Sequence, residues 1–182
     1  IWRLTIPNIV SNITVPLLGM ADMAIAGRLG NSAAMIGALA IGTTIFNFIY
    51  WNCSFLRMGT SGLTAQAFGA RHFDECANTL VRSVLMALAM AALLLIFQIP
   101  IGRAAIRIMN GDELVARYFF ARIWAVPAAI SLFAINGWFI GMQNSATPMI
   151  IAIIQNVINI IFSIWFAFGL DMGLEGIAWG TV

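Results

Sequence analysis

Five times along this chain a run of about 20 residues carries almost no charge, and each run is closed by a polar or glycine-rich break. A hydrocarbon core ~30 Å thick takes roughly 20 apolar residues of helix to cross, so runs of this length are candidate membrane spans. The first covers residues 4–27 and stops at Gly27, Arg28, Gly30 and Asn31. The second starts near Ser32, passes Trp51 and continues as a less hydrophobic stretch, RMGTSGLTAQAFGA, to Ala70. Gly59 and Gly62 weaken a helix there, so a long span bent at its glycines is expected. The polar stretch RHFDECANTLVR reads as a connection, followed by a third span over residues 83–101. The segment GRAAIRIMNGDELVAR is the most charged part of the chain and reads as a short interfacial helix or loop. A fourth span is expected over 118–141, and the turn MQNSATP leads to a fifth over 148–170. DMGLEG then precedes the opening turn of a sixth.

Only helices and closed barrels satisfy every backbone polar group in lipid, and runs of this length without period-two alternation favour helices. The expected fold is therefore all-α, a polytopic transmembrane helical bundle with five complete spans plus the start of a sixth. Composition agrees: 62% hydrophobic and 9% charged residues, with mean hydropathy +0.95, leave more apolar surface than a globule of this length can bury. The lipid bilayer is the implied partner. Net charge is +2, carried on arginine alone, and no basic patch points to nucleic acid. Cys53 and Cys76 form neither a disulfide framework nor a metal-ligand spacing and read as inert thiols. His72, beside Arg71, reads as a solvated loop residue. The first run is full span length and lacks a basic n-region and a small-residue cleavage site, so it reads as a span and not a signal peptide. The chain opens on Ile1 and ends on Val182 inside an apolar stretch, and is expected to be a fragment. Arginines divide evenly between the two sides, with Arg3, Arg71 and Arg82 against Arg28, Arg103 and Arg107, while Arg117 and Arg122 lie at the start of the fourth span. The distribution alone leaves orientation open.

Asp22 is the one acid inside an expected span, and a carboxylate at that depth costs about 2.5–3.5 kcal/mol on insertion scales. It should face protein or water. On a helix, Asn8, Asn12, Gly19 and Asp22 share one stripe with Pro16, whose missing N–H frees the Asn12 carbonyl. The fifth span repeats the pattern with Asn156, Asn159 and Ser163, and Gln155 beside them. Asn136 in the fourth span, and Asn47 with Ser54 in the second, extend it. Convergence of these stripes on one water-filled cavity is the economical expectation, against the competing role of asparagine, serine and glycine in simple interhelical packing. In an apolar cavity without a cationic partner, desolvation penalises the charged form of Asp22, which would make it a proton switch; the same carboxylate could hold Na⁺ or a cationic substrate.

Three stretches, PLLGMADMAIAGRLG at 16–30, FLRMGTSGLTAQAFGAR at 55–71 and GMQNSATPM at 141–149, resemble the multidrug and toxic compound extrusion (MATE) family, in its DinF-like branch. The resemblance covers the whole chain in order. It implies a protein of twelve spans in two six-helix lobes that alternate access, antiporting organic cations or other toxic compounds against H⁺ or Na⁺. Residues 1–182 would be its N-terminal lobe, truncated within the sixth span, with the C-terminal lobe of the same protein as the missing partner. The resemblance further implies that Asp22 is the protonation or cation site, and that Asn136, Asn159 and Thr181 line the cavity. It places the chain in a bacterial-type inner membrane with its N-terminus in the cytoplasm, and that topology takes precedence over the arginine count. No cofactor is implied beyond H⁺ or Na⁺ as coupling ion. One departure stands out: where relatives carry a second aspartate, four residues after the fifth-span asparagine, this chain has Ser163. A single carboxylate favours proton coupling over a Na⁺ cage, although the asparagines could supply neutral oxygens.

Alternatives to an antiporter are a flippase for lipid-linked or amphipathic molecules, which would want cationic walls such as Arg57 and Arg122, and a non-transporting structural membrane subunit. A membrane-embedded enzyme is disfavoured, because no paired intramembrane His or Asp motif suits metal or acid–base work.

Overall fold

The computed structural model describes the backbone of residues 2–28, 32–170 and 172–182, and the side chains of these residues other than 2–8, 10–12, 14, 15 and 32. Among the described residues every regular element is helical: α1 (Trp2–Ala26), α2 (Ser32–Cys53), α3 (Phe55–Gly69), α4 (Phe73–Ile96), α5 (Gln98–Ile108), α6 (Glu113–Arg122), α7 (Val126–Gly141), α8 (Ala146–Ile164) and α9 (Gly173–Thr181). Four continuous helical stretches among the described residues are long and apolar enough to cross a membrane: Ala33–Gly69, Phe73–Ile96, Glu113–Gly141 and Ala146–Gly169. They are the expected second to fifth spans. At 1.5 Å per residue, the 25 residues of α1 extend for about 37 Å. The apolar stretch of α1 that can be described in full is Pro16–Ala26.

Local chemistry accounts for the boundaries, and it corrects two of them. The second span breaks at Ser54 and not at Gly59 or Gly62. There the Ser54 hydroxyl donates to the Trp51 carbonyl at 2.7 Å, a back-bond that competes with the helical ladder and separates α2 from α3. The third helix begins at Phe73, so the polar connection is short. Arg71 turns the chain at φ 59, and Asp74 and Glu75 occupy the first turn of α4, where acidic side chains favour the helix dipole. The charged segment after α4 forms α5 and then leads into α6, whose N-cap Asp112 accepts from the Val115 amide at 3.2 Å. Pro127 has no N–H to offer the carbonyl four residues back, and the chain tightens into a 3₁₀ turn over Ile123–Ala125 before α7.

Packing sorts the helices into neighbouring groups. α3 and α4 pack on each other and on α7; α1, α8 and α9 pack together; and α6 bridges α2, α5 and α9. The core where they meet includes Ile25 and Ala26 of α1, Phe46 of α2, Tyr118 and Phe119 of α6 and Ile177 of α9. Phe46 stacks on Phe119 with ring centroids 5.3 Å apart. Gly42 lets the ring of Tyr118 lie directly on α2, where any Cβ would collide with it.

Candidate functional site

Asp22 sits in the penultimate turn of α1 with 6% of its surface exposed, and its Oδ1 has no hydrogen-bond partner among the described residues. A buried carboxylate oxygen left unpaired is an expensive feature for packing alone to maintain. Arg122 lies in the last turn of α6. The guanidinium rests over the Phe46 ring at 5.2 Å and the Tyr118 ring at 5.5 Å, and its Nη1 donates to the Tyr118 hydroxyl. Its Nε is buried without a hydrogen-bond partner among the described residues. The sequence signal for this seat was the Tyr118–Arg122 spacing of one helical turn, which places both side chains on one face of α6. Nothing local connects that face to Asp22.

On α8 the expected polar stripe points inward. Asn159 is 6% exposed and Ser163 fully buried, and the Ser163 hydroxyl donates to Asn159 Oδ1 at 3.3 Å. Asn156, one turn before, has a buried Nδ2 with no partner among the described residues, while Gln155 is exposed. Thr181 on α9 donates its hydroxyl to the Ile177 carbonyl at 3.0 Å. Together with Gln155, Asn159 and Gly180 it lines an open cavity of about 400 Å³ between α8 and α9.

The fold thus draws Asp22, Asn159, Ser163 and Thr181 into one three-helix group. Two other expected residues stand apart from it. Asn136 lies on α7, which packs chiefly on α3 and α4, and its Oδ1 is buried and without a partner among the described residues. Asn47 is exposed on α2. Asn8 and Asn12 are on the backbone of α1, but their side chains lie outside the described residues. Among the described residues no three or more His, Cys, Asp or Glu side chains gather as a metal site would need. The group offers one carboxylate and several amide and hydroxyl oxygens.

The architecture has close counterparts. A solved structure described as the outward-facing conformation of a multidrug resistance MATE family transporter of the MOP superfamily superposes with a TM-score of 0.88 at 23% identity, covering 98% of this chain and 40% of that one. DNA damage-inducible protein F of Escherichia coli (strain K12) is 40% identical over 186 aligned residues, across 100% of this chain and 40% of its own length. Protein DETOXIFICATION 28 of Arabidopsis thaliana is 29% identical over 97% of this chain and 36% of its own. The chain therefore spans about 40% of the length of the relatives it matches. The MatE family profile matches residues 7–175. A match over nearly the whole length, on a fold shared with solved members, means that this chain belongs to the MatE family.

Proposed function

We propose that this chain is the N-terminal lobe of a secondary active efflux transporter that exports organic cations or other toxic compounds by alternating access, in exchange for H⁺ and with Asp22 as the coupling site. Members of the MatE family are transporters and not enzymes. The observation that carries the reading is the burial of Asp22 in α1, with Oδ1 unpartnered among the described residues, on a helix that packs against α8 and α9. Binding a proton there removes a charge from the helix core and shifts the balance between two packings of α1. H⁺ is favoured over Na⁺ because one carboxylate suffices for a proton, whereas a Na⁺ cage calls for more oxygen ligands, and Ser163 stands where a second acid would supply them. The membrane is the bacterial plasma membrane, in line with the Escherichia coli relative, and the small-molecule path runs between this lobe and a second one that completes the cavity.

The test uses the full-length protein in proteoliposomes: ethidium export driven by an imposed pH gradient, with and without Na⁺, for wild type and Asp22→Asn. Export that needs the gradient, ignores Na⁺ and disappears in Asp22→Asn supports the reading. Normal export by Asp22→Asn would move coupling elsewhere. Residues 1–182 reconstituted alone should move no ethidium, and robust flux from them would remove the need for a second lobe.

A further inference from the structure

A groove of about 660 Å³ is bounded by α2, the last turn of α4 and α5, outside the group of helices that holds Asp22. Ile45, Phe48 and Ile49 of α2, Leu94 of α4, and Ala104 and Ile108 of α5 line it. The polar groups on its α2 wall turn back on their own helix: the Thr44 hydroxyl donates to the Ala40 carbonyl at 2.8 Å, and the Asn52 amide donates to the Phe48 carbonyl at 2.9 Å. No acidic side chain lines the groove among the described residues, so nothing in it would compensate an organic cation. Its walls suit a hydrocarbon chain.

The charge at its edge comes from α5. Gly102 is buried against Phe119, where a Cβ would come within 2.6 Å of the ring, and this close approach fixes which side of α5 faces the core. With the helix so rotated, Ala104 and Ile108 form one row along the groove. Arg103 and Arg107 form the next row, about 100° further round the helix, and both are exposed. Ile108, 80% exposed, thus lies beside two guanidinium groups. Neither arginine takes part in an ion pair among the described residues. The acids that follow are engaged elsewhere, Asp112 by the Val115 amide and Glu113 by Arg117.

Depth decides what meets such an edge. The 24 residues of α4 extend for about 36 Å, enough to cross a hydrocarbon core of ~30 Å, and α5 starts one residue after its end. The next crossing stretch begins at Glu113. α5 therefore lies between two crossings, at one membrane surface, with its arginines in the headgroup layer and the groove opening toward the acyl chains. Arginine forks match phosphate oxygens, and basic side chains at this level attract anionic lipid. We propose that the groove between α2, α4 and α5 binds one anionic phospholipid, with an acyl chain against Phe48, Ile49 and Ala104 and its phosphate on Arg103 and Arg107. The site is independent of Asp22 and of what the protein transports.

The test titrates the full-length protein in detergent with dioleoyl phosphatidylglycerol or dioleoyl phosphatidylcholine, which share acyl chains and differ in net charge, and counts bound lipid by native mass spectrometry. The first phosphatidylglycerol should bind wild type at roughly 10-fold lower concentration than phosphatidylcholine. Replacing both arginines by glutamine should abolish that difference, and Arg103→Lys with Arg107→Lys should keep most of it. Ala104→Trp fills the groove from its exposed rim and should remove the tight phosphatidylglycerol site although both arginines remain. Equal binding of the two lipids to wild type, or a preference that survives the double glutamine variant, would overturn the proposal. So would Ala104→Trp with a lowered melting temperature and an unchanged lipid preference, which would assign the groove to a second lobe of the protein.

Discussion

Gly137 of α7 lies against the backbone of α3 so closely that a Cβ at this position would come within 2.5 Å of the Arg57 carbonyl oxygen. One turn later a Cβ on Gly141 would come within 2.7 Å of the Ser61 carbonyl. Small residues four apart let two membrane helices approach backbone to backbone, where packing and not hydrophobicity drives association. Gly137→Ala should therefore lower stability by about 1–3 kcal/mol, since the obstacle is main chain that cannot rotate away. Gly59 and Gly62 of α3 have open space where a Cβ would go. Alanine at either should be neutral or stabilising by up to ~1 kcal/mol. Thermal melts of the full-length protein in detergent compare the two pairs, and equal damage at Gly59 and Gly137 would mean the α3–α7 contact is misplaced.

The same glycines show what the sequence could and could not disclose. The order and approximate extent of the spans were legible because bilayer thickness imposes a length on every apolar run. The position of the break in the second span was not. Helix propensity nominated Gly59 and Gly62, but α3 is clamped between α4 and α7, and tertiary packing holds a helix that propensity alone would loosen. The actual break lies at Ser54, whose hydroxyl takes a main-chain acceptor. The early start of α4 had a readable signal in Asp74 and Glu75, acids suited to a first turn, but their charge suggested a connection instead. Asp22 stood out as the one acid in a span. The seat of Arg122 on Phe46 did not, because a contact between helices 76 positions apart is a property of packing that no local pattern encodes.

Thr60 of α3 and Ser83 of α4 are both buried, and the Thr60 hydroxyl lies 2.9 Å from that of Ser83 while also bonding the Leu56 carbonyl at 2.7 Å. Hydroxyl pairs of this kind between membrane helices are worth about 0.6 kcal/mol on average and ~1.7 at most. A cycle of Thr60→Val and Ser83→Ala should return a coupling of that size by chemical denaturation. A coupling indistinguishable from zero would mean the helices are held by shape alone.

Cys53 and Cys76 are 4% and 2% exposed, and Cys76 packs its sulfur against the Thr64 carbonyl at 4.0 Å. A buried thiol that cannot reach its reagent is inert whatever its intrinsic nucleophilicity. A small membrane-permeant maleimide should leave both unmodified in the folded protein and modify both after denaturation in SDS, as read by intact-mass spectrometry. Rapid modification of Cys76 in the native state would show that α3 and α4 open on the timescale of labelling.

The contact of α8 with α9 depends on Gly180, where a Cβ would stand 2.6 Å from the Ser163 Cα and closer still to its hydroxyl. Ser163 in turn donates to Asn159 Oδ1 inside the group that holds Asp22. Two substitutions should therefore act differently on one place. Ser163→Ala keeps the helices together and leaves the buried Asn159 amide oxygen without its donor, a cost of about 1–3 kcal/mol. Gly180→Val pushes α9 off α8 and should cost at least that much, because the clash is with the Ser163 main chain, which cannot rotate away. Their combination separates packing from hydrogen bonding. If both changes act only through the shared helix contact, the double variant should be no worse than Gly180→Val alone, since a displaced α9 leaves Asn159 open to water. Full additivity in the melting temperature would instead mean that α8 and α9 remain in contact through the substitution and that the Gly180 approach is looser than the structure has it.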